Sequence, residues 1–167
     1  ADGPIRSNNE YDGERYDARK ELGEWTCVGY DDSKWGAAER VSIPTGTLRG
    51  AMAPNMKVLR SLKPVSMRRQ GEKWILDMGQ NMVGWVRMNV RGELGDSIKL
   101  RFAELLQPDG ELYVKNLRDA KVTDTYICNA RENNATWAPR FVYHGFRYVE
   151  VSGFPTATIN DFVGEVV

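Results

Sequence analysis

The stretch "WVRMNVRGELGDSIKLRFAE", residues 85–104, decides the fold class. Val86, Met88 and Val90 alternate with Arg87, Asn89 and Arg91, the period of two of a strand with one wet face. Ile98, Leu100 and Phe102 repeat that pattern against Lys99 and Arg101. Between the runs, Gly92 to Asp96 carries two glycines and reads as a hairpin turn.

Further along, "QPDG", residues 107–110, reads as another turn, with proline and glycine setting its dihedrals. "KVTDTYIC" (121–128) and "FVYHGFRYVEVSG" (141–153) are rich in β-branched and aromatic residues. In the second, Tyr148 and Glu150 oppose Val149 and Val151. "TINDFVGEVV" (158–167) reads as a terminal strand. No long run has helical period, and the best short candidate is Ala18 to Trp25. The expectation is an all-β protein, an antiparallel β-sandwich with an irregular N-terminal segment.

That segment is residues 8–41, polar, acidic and aromatic, with little clean alternation. Trp25, Trp35 and the tyrosines are expected to hold it, helped by side-chain hydrogen bonds. "SIPTGTLRGAMAPNM" (42–56) then reads as an extended connector, since Pro44 and Pro54 cannot donate to a sheet ladder. This places a boundary near residue 50, with residues 1–50 and 51–167 on either side.

Composition narrows the function classes. Lysine plus arginine number 23, and aspartate plus glutamate also 23, so no net field steers the chain to nucleic acid or an anionic membrane. Sixteen glycines and five tryptophans suit many tight turns around aromatic strands. No apolar run approaches the roughly 20 residues of a membrane span, and the polar start has no signal-peptide pattern. Cys27 and Cys128 read as two buried free thiols rather than a disulfide. Periplasmic, secreted and cytoplasmic locations all remain open.

For catalysis, the single histidine, His144, lies inside a strand pattern, and no G-x-S-x-G turn accompanies it. It reads as a packed or interfacial histidine. One histidine and two distant cysteines do not make a zinc set, and no phosphate-binding loop is present. Acids are abundant, as glycoside hydrolysis would need, but they are abundant on any solvated face. Glu104 follows Phe102 by two, so it is expected to point inward and to pair with Arg101, Arg118 or Arg147. Sugar binding needs only a ring to stack on a pyranose face and amides or carboxylates for its hydroxyls. "NNEYDGE" supplies hard oxygens from Asn8, Asn9, Glu10, Asp12 and Glu14, without the spacing of an EF-hand, and reads by chemistry alone as a turn.

Five stretches, in order, carry a resemblance: "YDGERYDAR", "YDDSKW", "DMGQNMVGWVRMNVRGELGDSIKLRFAELL", "DGELYVKNLRDAKVTDTYIC" and "PRFVYHGFRYVEVSG". Together they resemble the non-catalytic β-domains preceding the catalytic barrel in bacterial α-L-rhamnosidases of glycoside hydrolase family 78, over residues from about 4 to 153. The resemblance implies that residues before about 50 close an N-terminal β-sandwich module and that later residues form a concanavalin-like jelly roll. It places the catalytic acids in an (α/α)6 barrel further along a parent chain, so no catalytic residue is expected here. "DMGQNMVGW" (77–85) would begin a jelly-roll strand, with Asp77, Gln80 and Asn81 satisfying its turn or facing the barrel. In members whose first module binds rhamnose, calcium sits on an Asp-Asn pair where this sequence has Asn8 and Asn9. Calcium is therefore a possible cofactor at those two residues, with Trp25 as a possible stacking ring. Asn8 replaces a carboxylate, which weakens such a site. The leading expectation is a segment supporting the barrel. A calcium-assisted carbohydrate-binding module for rhamnose-containing glycans and a purely structural β-domain are the alternatives.

Overall fold

The structure is a computed structural model, describing residues 3–129 and 135–167. Among these, alternation resolves into twelve strands. They are β1 (Ile5–Asn9), β2 (Gly13–Asp17), β3 (Arg60–Leu62), β4 (Ser66–Gln70), β5 (Lys73–Val90), β6 (Ser97–Ala103), β7 (Leu105–Leu106), β8 (Leu112–Tyr113), β9 (Thr123–Ile127), β10 (Ala135–Trp137), β11 (His144–Ser152) and β12 (Phe162–Val166). Three single 3-10 turns, at Ala18–Lys20, Lys115–Leu117 and Ile159–Asp161, complete the regular structure. The all-β expectation is met. The short helical candidate shrinks to the turn at Ala18–Lys20, which Asp17 caps by accepting from the Arg19 amide.

The sheet runs β1-β2-β9-β6-β11-β5-β12-β3, with β4 and β10 also on β5, and β7-β8 form a separate hairpin across Gln107–Gly110. β5 organises it. Its first half pairs with β11 and β4, and its second half with β12 and β10, so the strand hands the sheet from one set of partners to another. Leu76, Met78, Met82, Val86, Met88 and Val90 are buried at even positions along it. Facing them from other strands are Ile98, Leu100 and Phe102 of β6, Val149 and Val151 of β11, and Phe162 of β12. Each fully buried side chain of this size is worth about 1.5–3 kcal/mol of transfer free energy.

Two local readings need correction. Gly92–Asp96 turns the chain, but not as a hairpin: β11 lies between β6 and β5, so the strands it joins are not neighbours. The pairing is also not wholly antiparallel, because β2 joins β9 in parallel, Tyr16 opposite Tyr126.

The residues up to Glu21 belong with Lys57–Val167 in one compact unit, and Leu22–Met56 form a second. The β1-β2 hairpin joins the main sheet because β2 finds a ladder on β9. The smaller unit contains no strand or helix. Within it the Trp25 and Trp35 rings lie 6.1 Å apart and Tyr30 lies 5.8 Å from Trp35, but both tryptophans stay about half exposed. Cys27 is exposed there, contrary to the expectation of two buried thiols, while Cys128 is buried in the larger unit.

Candidate functional site

The segment Asp77–Trp85 lies wholly within β5. Its glycines let the strand bend without ending: Gly79 has φ +80° and Gly84 φ +153°, conformations that side chains rarely adopt. A Cβ on Gly84 would sit 1.9 Å from the Glu165 carbonyl oxygen.

Two of the polar side chains around these glycines, Asp77 and Asn81, are engaged. Asp77 accepts from Arg147 Nε at 2.9 Å and Nη2 at 3.0 Å, and from the Gly79 amide at 2.7 Å. This two-pronged guanidinium contact holds the Asp77 carboxyl below the usual carboxylate range. Asn81 is exposed and donates to Glu104 Oε1 at 2.8 Å. Glu104 was expected inward with an arginine. It is exposed, because β6 ends at Ala103 and the chain bends before alternation reaches residue 104. Arg147, one of its expected partners, is committed to Asp77. Gln80 is half-buried. Asp77, Gln80 and Asn81 thus share one bend of β5, with exposed Val83 (47%), Leu105 (59%) and Val65 (67%) around it.

At the N-terminal hairpin, Asn9 Oδ1 accepts from the amides of Tyr11 at 3.0 Å and Asp12 at 2.8 Å, an Asx turn that builds the loop. Asn8 Nδ2 donates to Glu14 Oε2 at 2.8 Å. Both asparagines therefore serve the hairpin. Trp25 belongs to the smaller unit. Among the described residues no group of three or more His, Cys, Asp or Glu side chains could hold a metal ion.

Sequence reasoning missed a buried junction beneath the hairpin. Glu14, Asp124 and His144 are 1%, 0% and 3% exposed. The Glu14 amide donates to Asp124 Oδ1 at 2.9 Å, and His144 Nε2 lies 3.2 Å from each Asp124 oxygen. Phe102 stacks on the histidine ring at 4.5 Å. Glu14 Oε2 also accepts from the amides of Arg140 at 3.1 Å and Phe141 at 3.4 Å, yet burial pushes its carboxyl above the usual range. Gly13 is required here, since a Cβ would meet the Thr123 carbonyl oxygen at 2.4 Å. His144 is the packed histidine expected; the ladders of β6 with β9 and β11 bring Asp124 to it, and the hairpin adds Glu14 through its amide bond to Asp124.

Residues 67–167 match the family described as "Bacterial alpha-L-rhamnosidase concanavalin-like domain", and residues 1–60 match "Alpha-L-rhamnosidase N-terminal domain". An alpha-L-rhamnosidase of Streptomyces avermitilis is 44% identical over 161 residues, which is 93% of this chain and 15% of that protein. One from Formosa agariphila is 41% identical over 158 residues, 91% of this chain and 16% of its own length. Among solved structures, the alpha-L-rhamnosidase from Dictyoglumus thermophilum superposes with a TM-score of 0.93 at 40% identity, over 98% of this chain and 19% of that one. The Streptomyces avermitilis alpha-L-rhamnosidase complexed with L-rhamnose gives 0.84 at 40% identity, over 99% and 16%. The chain thus spans less than a fifth of the relatives it matches almost end to end. By sequence and by fold, the chain belongs to the bacterial α-L-rhamnosidase concanavalin-like domain family.

Proposed function

We propose that this chain is an accessory β-domain segment of an α-L-rhamnosidase, supporting or docking an (α/α)6 catalytic barrel carried elsewhere in the parent chain. The observation behind this is proportion: nearly all of this chain aligns, to only 15–16% of two full-length relatives. The carboxylates agree with it. An inverting glycosidase needs a general acid that keeps its proton near neutral pH. Asp77 is held in the opposite sense by Arg147, and Glu14, which burial raises, is enclosed by backbone amides. We infer further that the bend of β5 carrying Asp77, Gln80 and Asn81 contacts the barrel, since exposed Val65, Val83 and Leu105 surround it.

The test is hydrolysis of an aryl α-L-rhamnoside by this chain alone and by the chain joined to the rest of its parent. The chain alone is expected to give no turnover above background and the joined protein to be active. Val83→Glu or Asn81→Arg should lower the thermal midpoint of the joined protein and leave that of the chain alone unchanged. Steady turnover by the chain alone overturns the proposal.

For the N-terminal hairpin we propose a structural role and no tight rhamnose or calcium site at Asn8, Asn9 and Trp25. Asn9 Oδ1 is already shared by two backbone amides, and Asn8 is neutral where a calcium ion favours a carboxylate. Calorimetry with rhamnose, with and without calcium, should show no calcium-dependent binding tighter than about 0.1 mM, an affinity of roughly 5.5 kcal/mol.

A further inference from the structure

The bend of β5 projects from its ladder on a fixed base. Between the Asp77–Tyr148 and Met82–Phe146 pairs, Met78 to Asn81 stand opposite the single residue Arg147, and none of them has a partner on a neighbouring strand. Met78 and Met82 are buried and anchor the excursion from beneath. The Gly79 amide donates to Asp77, and a Cβ on Gly79 would meet the Val65 side chain at 2.9 Å. The excursion is therefore held in one shape, which lowers the ordering cost of any contact it makes.

What it holds out is a carboxylate. Asn81 Nδ2 donates to Glu104 Oε1, which leaves Glu104 Oε2 and Asn81 Oδ1 as acceptors on two exposed residues. Among the described residues no lysine or arginine forms an ion pair with Glu104, and Arg147 is committed to Asp77. Exposed Val65, Val83 and Leu105 make the setting apolar. That setting decides the chemistry of a partner. Any protein surface that covers those three side chains also takes water from Glu104, and a carboxylate dried without a cation opposes association. A lysine would answer the charge at one point. An ionised acceptor joined to a neutral one suits better the several N–H groups of a guanidinium.

We infer that the Glu104–Asn81 pair is the polar anchor of the docking bend and receives an arginine side chain from the barrel of the parent chain. The inference rests on the docking role proposed above and adds the chemistry of the group that meets it. The segment matched here is 15–16% of two full-length relatives, so a parent of that size has ample chain to supply the arginine.

The experiment uses the chain joined to the rest of its parent, with thermal midpoints read at low salt and at about 1 M salt. Glu104→Lys is expected to lower the midpoint of the joined protein, and Glu104→Gln to lower it less. Both effects should persist in high salt, because a dried ion pair is screened little. In the chain alone both substitutions should leave the midpoint unchanged, since there the Asn81–Glu104 bond lies in water. Glu72→Lys, at an exposed acid in the turn between β4 and β5, is the control and should move neither protein. Phenylglyoxal labelling, read by peptide mass, should find an arginine outside this chain that is protected in the joined protein and labelled in Glu104→Gln. If Val83→Glu lowers the joined midpoint and neither Glu104 variant does, the inference is overturned and the docking bend stands. If Val83→Glu is also silent, the docking bend falls and the inference falls with it. Glu104 variants that lower the midpoint without uncovering an arginine overturn the inference as well.

Discussion

Two carboxylates in this chain are displaced in opposite directions, and each direction gives a stability test. Burial raises the Glu14 carboxyl, so the folded state favours its protonated form. The corresponding stability is full below the ordinary carboxylate range and is lost as pH rises through the raised value. Glu14→Gln keeps an acceptor for Asn8, Arg140 and Phe141 without the charge. Its stability relative to the parent, from urea midpoints, should therefore improve as pH rises above the ordinary carboxylate range. A difference independent of pH would show that Glu14 carries no buried-charge penalty. Asp77 behaves in the reverse sense, because the Arg147 hydrogen bonds lower it. Its contribution is present above the ordinary carboxylate range and disappears as pH falls through the lowered value. Asp77→Asn should cost most near neutral pH and little in acid, and an equal cost at both would remove the ion pair from the account.

At the scale of elements, what could be read ahead was whatever depends on near neighbours in sequence. The alternation in β5, β6 and β11 put Val86, Met88, Ile98, Leu100, Phe102 and Val149 in the core, where all six are buried. Partner choice was not legible. A two-residue period says which face is wet but not which strand lies alongside, so Gly92–Asp96 passed for a hairpin and the parallel β2-β9 pair went unseen. The candidate site divided along the same line. The Asn9 turn is local chemistry and was readable, whereas Asp77–Arg147 and Glu14–Asp124 close over 70 and 110 residues. Gly84 shows what such closure demands. It lies where β5 exchanges β11 for β12, pairing with His144 on one side and Val166 on the other. Gly84→Ala would drive a methyl into the Glu165 carbonyl and hold a side chain at φ +153°. We expect a loss of at least about 2 kcal/mol, since strain of this kind alone costs roughly 1–3. A loss under about 0.5 kcal/mol would mean that β12 can move away from β5 freely.

At the scale of the molecule, the two units should differ sharply in how easily they open. The larger has its buried core spread over β5, β6, β9, β10, β11 and β12, with ladder hydrogen bonds throughout. In Leu22–Met56 no strand or helix forms, and Val28, Leu48 and Met52 are fully exposed. Local opening is easiest where buried apolar contacts are few and backbone groups face water. Dilute protease should therefore cut first between Leu22 and Met56, and amides there should exchange within the dead time while β5, β6 and β11 stay protected. The chain's continuity across that segment matters less than the junction on its far side. Residues 3–21 are tied to the sheet by the β2-β9 ladder and the Glu14–Asp124 hydrogen bond, and the Asp17 amide, donating to the Pro4 carbonyl, closes the hairpin itself. After cleavage, the N-terminal peptide should co-elute with the 57–167 fragment under native conditions and separate only in denaturant. Asp124→Ala removes the acceptor for the Glu14 amide and the partner of His144 together, leaving buried polar groups unpaired at about 1–3 kcal/mol each. In that variant the clipped hairpin should dissociate. If the wild-type peptide leaves as soon as the chain is cut, the hairpin is held by connectivity and not by its junction.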